Sequence, residues 1–169
     1  MPTVADTGFV RMQVSKVTAV GRAGEDISHH VVLDEPDGDR HLLILIGPSE
    51  AFGLAASLGG TPWPRPMTHQ FVAALVRALG GRVREVRLDR VVDGAYAATV
   101  EVEGAAGVEL VDARSSDALN LAVLLGAPIF AGPEMLADCA RRQEDGSAAA
   151  EMMRLALDAE PMSVRRAAG

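Results

Sequence analysis

The stretch Val108–Gly126 restricts what this chain can fold into more than any other. Val108, Leu110 and Val111 are β-formers, so the segment starts as a strand. From Ala118 to Leu125 it is helical and apolar nearly all round, with Asn120 its only polar residue. A helix of that kind has no face to give to water and must be enclosed. Ser115, Ser116 and Asp117 fall at the junction, where side-chain oxygens can accept from free backbone N–H groups and a carboxylate suits the helix dipole. Gly126 stops the helix, and Pro128 prevents its return.

The rest of the chain supplies layers to enclose it. Hydrophobic residues make up 49% of the 169, enough for a real core, but aromatics are only 4%, so that core is aliphatic. Residues 1–8 read as a loose leader. Phe9 to Val20 alternates apolar and polar residues as a half-buried strand does. His29–Leu33 and His41–Ile46 flank the turn Glu35-Pro36-Asp37-Gly38-Asp39 and should pair, which would make His29, His30 and His41 neighbours. Gly47-Pro48-Ser49-Glu50 starts a helix with Ser49 as its cap, running to Leu58. Thr61 to Pro66 is stiffened by three prolines, with Trp63 as a packing anchor. Thr68 caps a helix whose Phe71, Val72, Leu75, Val76 and Leu79 form one apolar face. Strands at Arg82–Val92 and Ala95–Glu103 meet at Asp93-Gly94, a hairpin signal. A short helix covers Met135–Arg141.

The expected fold is therefore α+β, a mostly antiparallel sheet with packed helices, spanning residues 9–140. Residues 141–169 read as a linker and a peripheral helix near Ala148–Leu157 that adds little to the core. The net charge of −7 argues against a protein that wraps duplex DNA by positive charge. One cysteine, Cys139, excludes an intrachain disulfide and a cysteine zinc cluster. There is neither a secretory leader nor an apolar run of membrane-spanning length, so the expected location is the cytoplasm, with no membrane partner. Arg77, Arg82, Arg84, Arg87 and Arg90 form a locally basic stretch, read first as a solvated strand face laced with salt bridges and second as a nucleic-acid contact.

Two islands with their spacing resemble the bifunctional nuclease domain family. They are Arg65-Pro66-Met67-Thr68-His69 at a helix start and Asp112-Ala113-Arg114-Ser115-Ser116-Asp117-Ala118-Leu119 some forty residues later. Ile46-Gly47-Pro48-Ser49-Glu50-Ala51 and Gly126-Ala127-Pro128-Ile129-Phe130 support the match, which covers Phe9 to Cys139. The resemblance implies a homo-oligomer, most simply a two-fold dimer, with nuclease activity on RNA and DNA of the kind attributed to plant members. The chain departs from the family pattern at Gln70, where an aspartate is usual, and at Ser115, where a proline is usual.

Phosphodiester hydrolysis needs an activated water and stabilised charge on the phosphate. Glu50, Asp112 and Asp117 are the candidate ligands for Mg²⁺ or Mn²⁺, since hard cations take oxygen. His69, Asp112 and Asp117 are the candidate catalytic groups, an imidazole being suited to proton transfer near neutrality. Arg65 and Arg114 would hold the phosphate of single-stranded RNA or DNA, aided by Thr68 and Ser116 at helix N-termini. Two functions follow as expectations: a metal-assisted nuclease, or a non-catalytic oligomeric binding or regulatory module of the same fold. In the second, the same charges cap and clamp the helices. Gln70, which cannot carry charge, favours it.

Overall fold

Asp93 and Gly94 both take positive φ, 49° and 78°, the turn geometry that matches the natural twist of a two-residue hairpin. They join β4 (Arg82–Val92) to β5 (Ala95–Gly104), the two strands that share the longest register in the molecule. The computed structural model describes residues 8–21, 24, 26–144 and 148–164, so the expected leader lies outside it except for Gly8. The other elements are β1 (Val10–Val20), β2 (Ser28–Asp34), β3 (His41–Ile46), α1 (Pro48–Leu58), α2 (Thr68–Ala78), β6 (Gly107–Arg114), α3 (Ser115–Leu125), β7 (Ile129–Ala131), α4 (Pro133–Glu144) and α5 (Ala148–Asp158).

The seven strands form one sheet in the order β3-β2-β1-β7-β4-β5-β6. Every pairing is antiparallel except that of β7 with β4, so the fold is α+β as expected. β7 has three residues and sits between the two meanders, with Val86 N–H donating to Pro128 O just ahead of it. Edge strands β3 and β6 line a common cleft. With strands spaced about 4.8 Å apart, a flat sheet would hold them far from each other, so the sheet must curl.

α3 is buried as its composition demands, with Ala118, Leu119, Asn120 and Ala122 at most 1% exposed. Gly126 ends it in the left-handed conformation at φ 66°. α1 and α3 pack together over one face, on Val31, Leu33, Ile44, Val86 and Leu88. β2 is buried on both faces, because α5 covers the other side.

Several local expectations need correction. The tail is part of the structure: Met153 and Ala156 of α5 are buried, and Ala156 packs with Val20 and Val32. Lys16 Nζ donates to Leu157 O at 2.6 Å and to Ala159 O at 2.7 Å, satisfying carbonyls that a helix end leaves without partners. Beyond the helix, Met162 N–H donates to Val17 O, and Thr61 Oγ1 donates to Val164 O. The expected linker lies partly outside the described residues, because 145–147 are not among them, while Gln143 and Glu144 complete α4. The antiparallel register opposes His41 to Asp34, at the far end of the hairpin from His29 and His30. Neither Ser49 nor Thr68 is an N-cap; Gly47 and Met67 hold those positions. Phe71 and Leu75 of α2 and Leu79 at its end stay exposed, while Ala73 is buried, Val72 and Val76 are half-buried, and the helix packs against α3.

Candidate polar site at three helix N-termini

α1, α2 and α3 bring their N-terminal turns to a cavity of about 230 Å³. It is lined by Glu50 and Gly53 from the first, His69 and Gln70 from the second, and Arg114, Asp117 and Asn120 from the third. None of the three helices has a side-chain hydrogen bond from its N-cap residue. The first-turn N–H groups of each helix carry fixed partial positive charge.

Within the cavity His69 Nε2 lies 2.8 Å from Asp117 Oδ1. Its Nδ1 lies 3.1 Å from Asn120 Nδ2. The amide nitrogen can only donate, so Nδ1 is the acceptor, and the proton of the neutral ring sits on Nε2, facing the carboxylate. Ser57 Oγ is 2.7 Å from Asn120 Oδ1 and 3.0 Å from Gly53 O. Arg114 grips Asp117 with two nitrogens, Nε to Oδ2 at 2.7 Å and Nη2 to Oδ1 at 3.1 Å, and reaches Glu50 Oε1 with Nη1 at 3.0 Å. Partial burial alone would push the Asp117 carboxyl up; hydrogen bonds from Arg114 and His69 outweigh it and hold the group below its usual range. Those bonds to Asp117 and Glu50 raise the Arg114 guanidinium further above its ordinary value.

Gln70 does not face the imidazole as a missing carboxylate would. Its Oε1 accepts the Met67 N–H at 2.9 Å, a helix-capping contact. Among the sequence candidates, Glu50, His69, Arg114 and Asp117 are thus joined in one network. Thr68 lines the same cavity and is exposed, while Ser116 is 8% exposed and faces the larger cleft. Arg65 lies on the exposed segment before α2 and makes no hydrogen bond or ion pair to the network among the described residues. Asp112 stands one pleat before Arg114 on β6, 79% exposed, and takes its hydrogen bond from Arg90 Nη2.

The donor set does not suit Mg²⁺ or Mn²⁺ in this arrangement. Glu50 and Asp117 are both paired with Arg114, and Asp112 with Arg90. Among the described residues no three His, Cys, Asp or Glu side chains gather as a ligand set. Four arginines of the basic stretch are likewise engaged: Arg82 with Glu103, Arg84 with Glu101, Arg87 with Glu85 and Glu101, and Arg90 with Asp112.

Two participants escaped the sequence reading, Ser57 and Gly53. Asn120 was visible as the one polar residue in an apolar helix, a pattern that marks a buried group with a partner to find.

Among the described residues no helix is long and apolar enough to cross a membrane. Two curated proteins of Mycobacterium tuberculosis are similar to this chain, "Uncharacterized protein MT1877" from strain CDC 1551 / Oshkosh and "Uncharacterized protein Rv1829" from strain ATCC 25618 / H37Rv. Each is 36% identical over 107 residues, which is 63% of this chain and 63% of the relative's own length. Residues 31–144 match the bifunctional nuclease domain, and that span includes every residue of the network. The chain belongs to the bifunctional nuclease domain family.

Proposed function

We propose that the protein binds single-stranded RNA or DNA by docking a backbone phosphate at the three converging N-termini, and that it does so without cutting the strand. The observation that carries this is the saturation of the network. Both nitrogens of His69 are engaged inside the protein, and Glu50 and Asp117 are held by Arg114. Hydrolysis needs a base with an open lone pair or a metal with an open position. Phosphate binding needs only donors. The two carboxylates and Arg114 sum to one negative charge. Three helix N-termini of roughly +0.5 each offset it. Arg65, leading into α2, adds an exposed cation.

Cleavage is the second reading, favoured by the 2.8 Å contact of His69 with Asp117. A carboxylate that fixes one imidazole nitrogen leaves the other as a base once the Asn120 amide lets go. Labelled single-stranded RNA and DNA, incubated with Mg²⁺, with Mn²⁺ or with chelator, distinguish the two. The binding reading expects a complex that Arg114→Gln weakens, with strands intact in every arm. Cleavage that His69→Ala abolishes would establish the second reading, and a strict Mn²⁺ or Mg²⁺ requirement would bring back the metal role of Glu50, Asp112 and Asp117.

The protein is further proposed to act as a dimer in the cytoplasm. β6 is a free sheet edge exposed along nearly its whole length, with Val108 46%, Leu110 61% and Val111 47% exposed. An unblocked apolar edge is suited to pairing with a second copy.

A further inference from the structure

A second cavity is larger than the polar one. It measures about 870 Å³ and runs between the two sheet edges, β3 and β6, with β5 beside it and α4 and α5 on its flank. That volume falls within the ~300–1,000 Å³ of small-molecule sites. Its walls include Leu43, Leu45, Ile46, Met152 and Met153.

One lining residue is out of character. His30 is 4% exposed, and its Nδ1 has no hydrogen-bond partner. Burial, and then the neighbouring His29, push its pKa down, so the ring is neutral and can serve as donor or acceptor. The Tyr96 hydroxyl, which also lines the cleft, is already engaged, donating to Asp138 Oδ2 at 2.7 Å. A buried imidazole without a partner is unfavourable, so an occupant that gives the ring lining the cleft a hydrogen bond is favoured over one that does not. A hydrocarbon chain fits the walls and leaves His30 unmet. A flat heterocycle with a polar edge fits both.

The two cavities meet. Glu50 and Arg114 line each of them. We propose that the cleft takes one nucleobase of the bound strand, its edge hydrogen-bonded to His30 and its faces against the Leu and Met walls, while the attached phosphate lies at Arg114. This rests on the nucleic-acid reading above and specifies what that site recognises: a strand with at least one unstacked base, and therefore not an intact duplex.

The test uses the full chain, ¹H–¹⁵N spectra, and three probes: a set of 5′-nucleoside monophosphates, ribose 5-phosphate and dodecanoate. Nucleotides are expected to shift the Leu45 and Met152 amides and the His30 ring, and to bind at least tenfold tighter than ribose 5-phosphate. Leu45→Glu should erase that tenfold; the side chain is 69% exposed, so the change does not threaten folding. His30→Ala should weaken the nucleotide and leave ribose 5-phosphate unchanged. Equal binding of the two phosphates, or shifts confined to the Asp117 cavity, overturns the base site while the phosphate reading stands. Dodecanoate shifting the cleft when nucleotides do not overturns it in favour of an apolar carboxylate. If neither mononucleotides nor single-stranded oligonucleotides bind, both readings fall.

Discussion

Gly53 and Asn120 meet where α1 crosses α3: a Cβ on the glycine would stand 3.2 Å from the Asn120 amide nitrogen and 3.9 Å from His69 Nδ1. That amide is fixed by its bonds to His69 and Ser57 and has nowhere to retreat. Gly53→Ala gains about 1 kcal/mol of helix propensity and loses about 1–3 kcal/mol to overpacking. A net loss of about 1 kcal/mol in denaturant unfolding is expected, with a changed His69 ring resonance. A stabilised protein with an unmoved imidazole would disprove the close fit.

Asp117 sets the acid limit of the network. Its folded pKa lies below the ordinary aspartate value, so the stability it adds is complete above that value and fades as pH falls through the folded one. Asp117→Asn should lower stability by about 1–2 kcal/mol at pH 7, the scale of charge-assisted hydrogen bonds. The gap between variant and parent should persist down to the ordinary aspartate value and narrow as pH falls below it. Thermal melts from pH 7 to pH 2 check both the size and the direction.

Gln70 caps α2 by accepting the Met67 N–H. Gln70→Ala should therefore cost about 0.5–2 kcal/mol, the range for lost helix caps. Gln70→Glu keeps an acceptor of the same reach and should recover most of it. An unchanged melting temperature in the alanine variant would refute the capping role.

Truncation after Gln143 removes α5 and the strand of contacts beyond it. Burial of a side chain such as Met153 is worth about 1.5–3 kcal/mol, so losing the whole element should lower the melting temperature by on the order of 10 °C. A drop of a degree or two would restore the view of the tail as a peripheral helix.

Self-association through β6 predicts a mass near twice 17.7 kDa by light scattering at micromolar concentration. Leu110→Lys should return it to the monomer with the fold intact, because that side chain is exposed in the single chain. A monomeric parent protein ends the dimer proposal.

What could be read from the residues was what local rules decide. Asp93-Gly94 can hardly be anything but a tight hairpin, and the apolar run after Asp117 can only be enclosed. The nearness of His69 to Asp117 was anticipated through two separated islands, and their helices do pack together. The groups that fall apart, Arg65 and Asp112, were drawn in by sequence adjacency to real members. One pleat along β6 suffices to hand Asp112 to Arg90, a partner on another strand that no local pattern announces. β7 escaped notice because three residues carry no period. The tail was misread because Met153 and Ala156 show a core face only against Val20 and Val32.

Lys16 is the only lysine in the chain, and its amine is committed to the C-terminal carbonyls of α5. Any acylation of a side-chain amine in this protein, enzymatic or by reagent, must therefore fall on the one group that latches the tail. Neutralising it removes two hydrogen bonds and the charge that favours that helix end. Amine modification therefore weakens the hold on the C-terminal helix, which the buried Met153 and Ala156 still anchor.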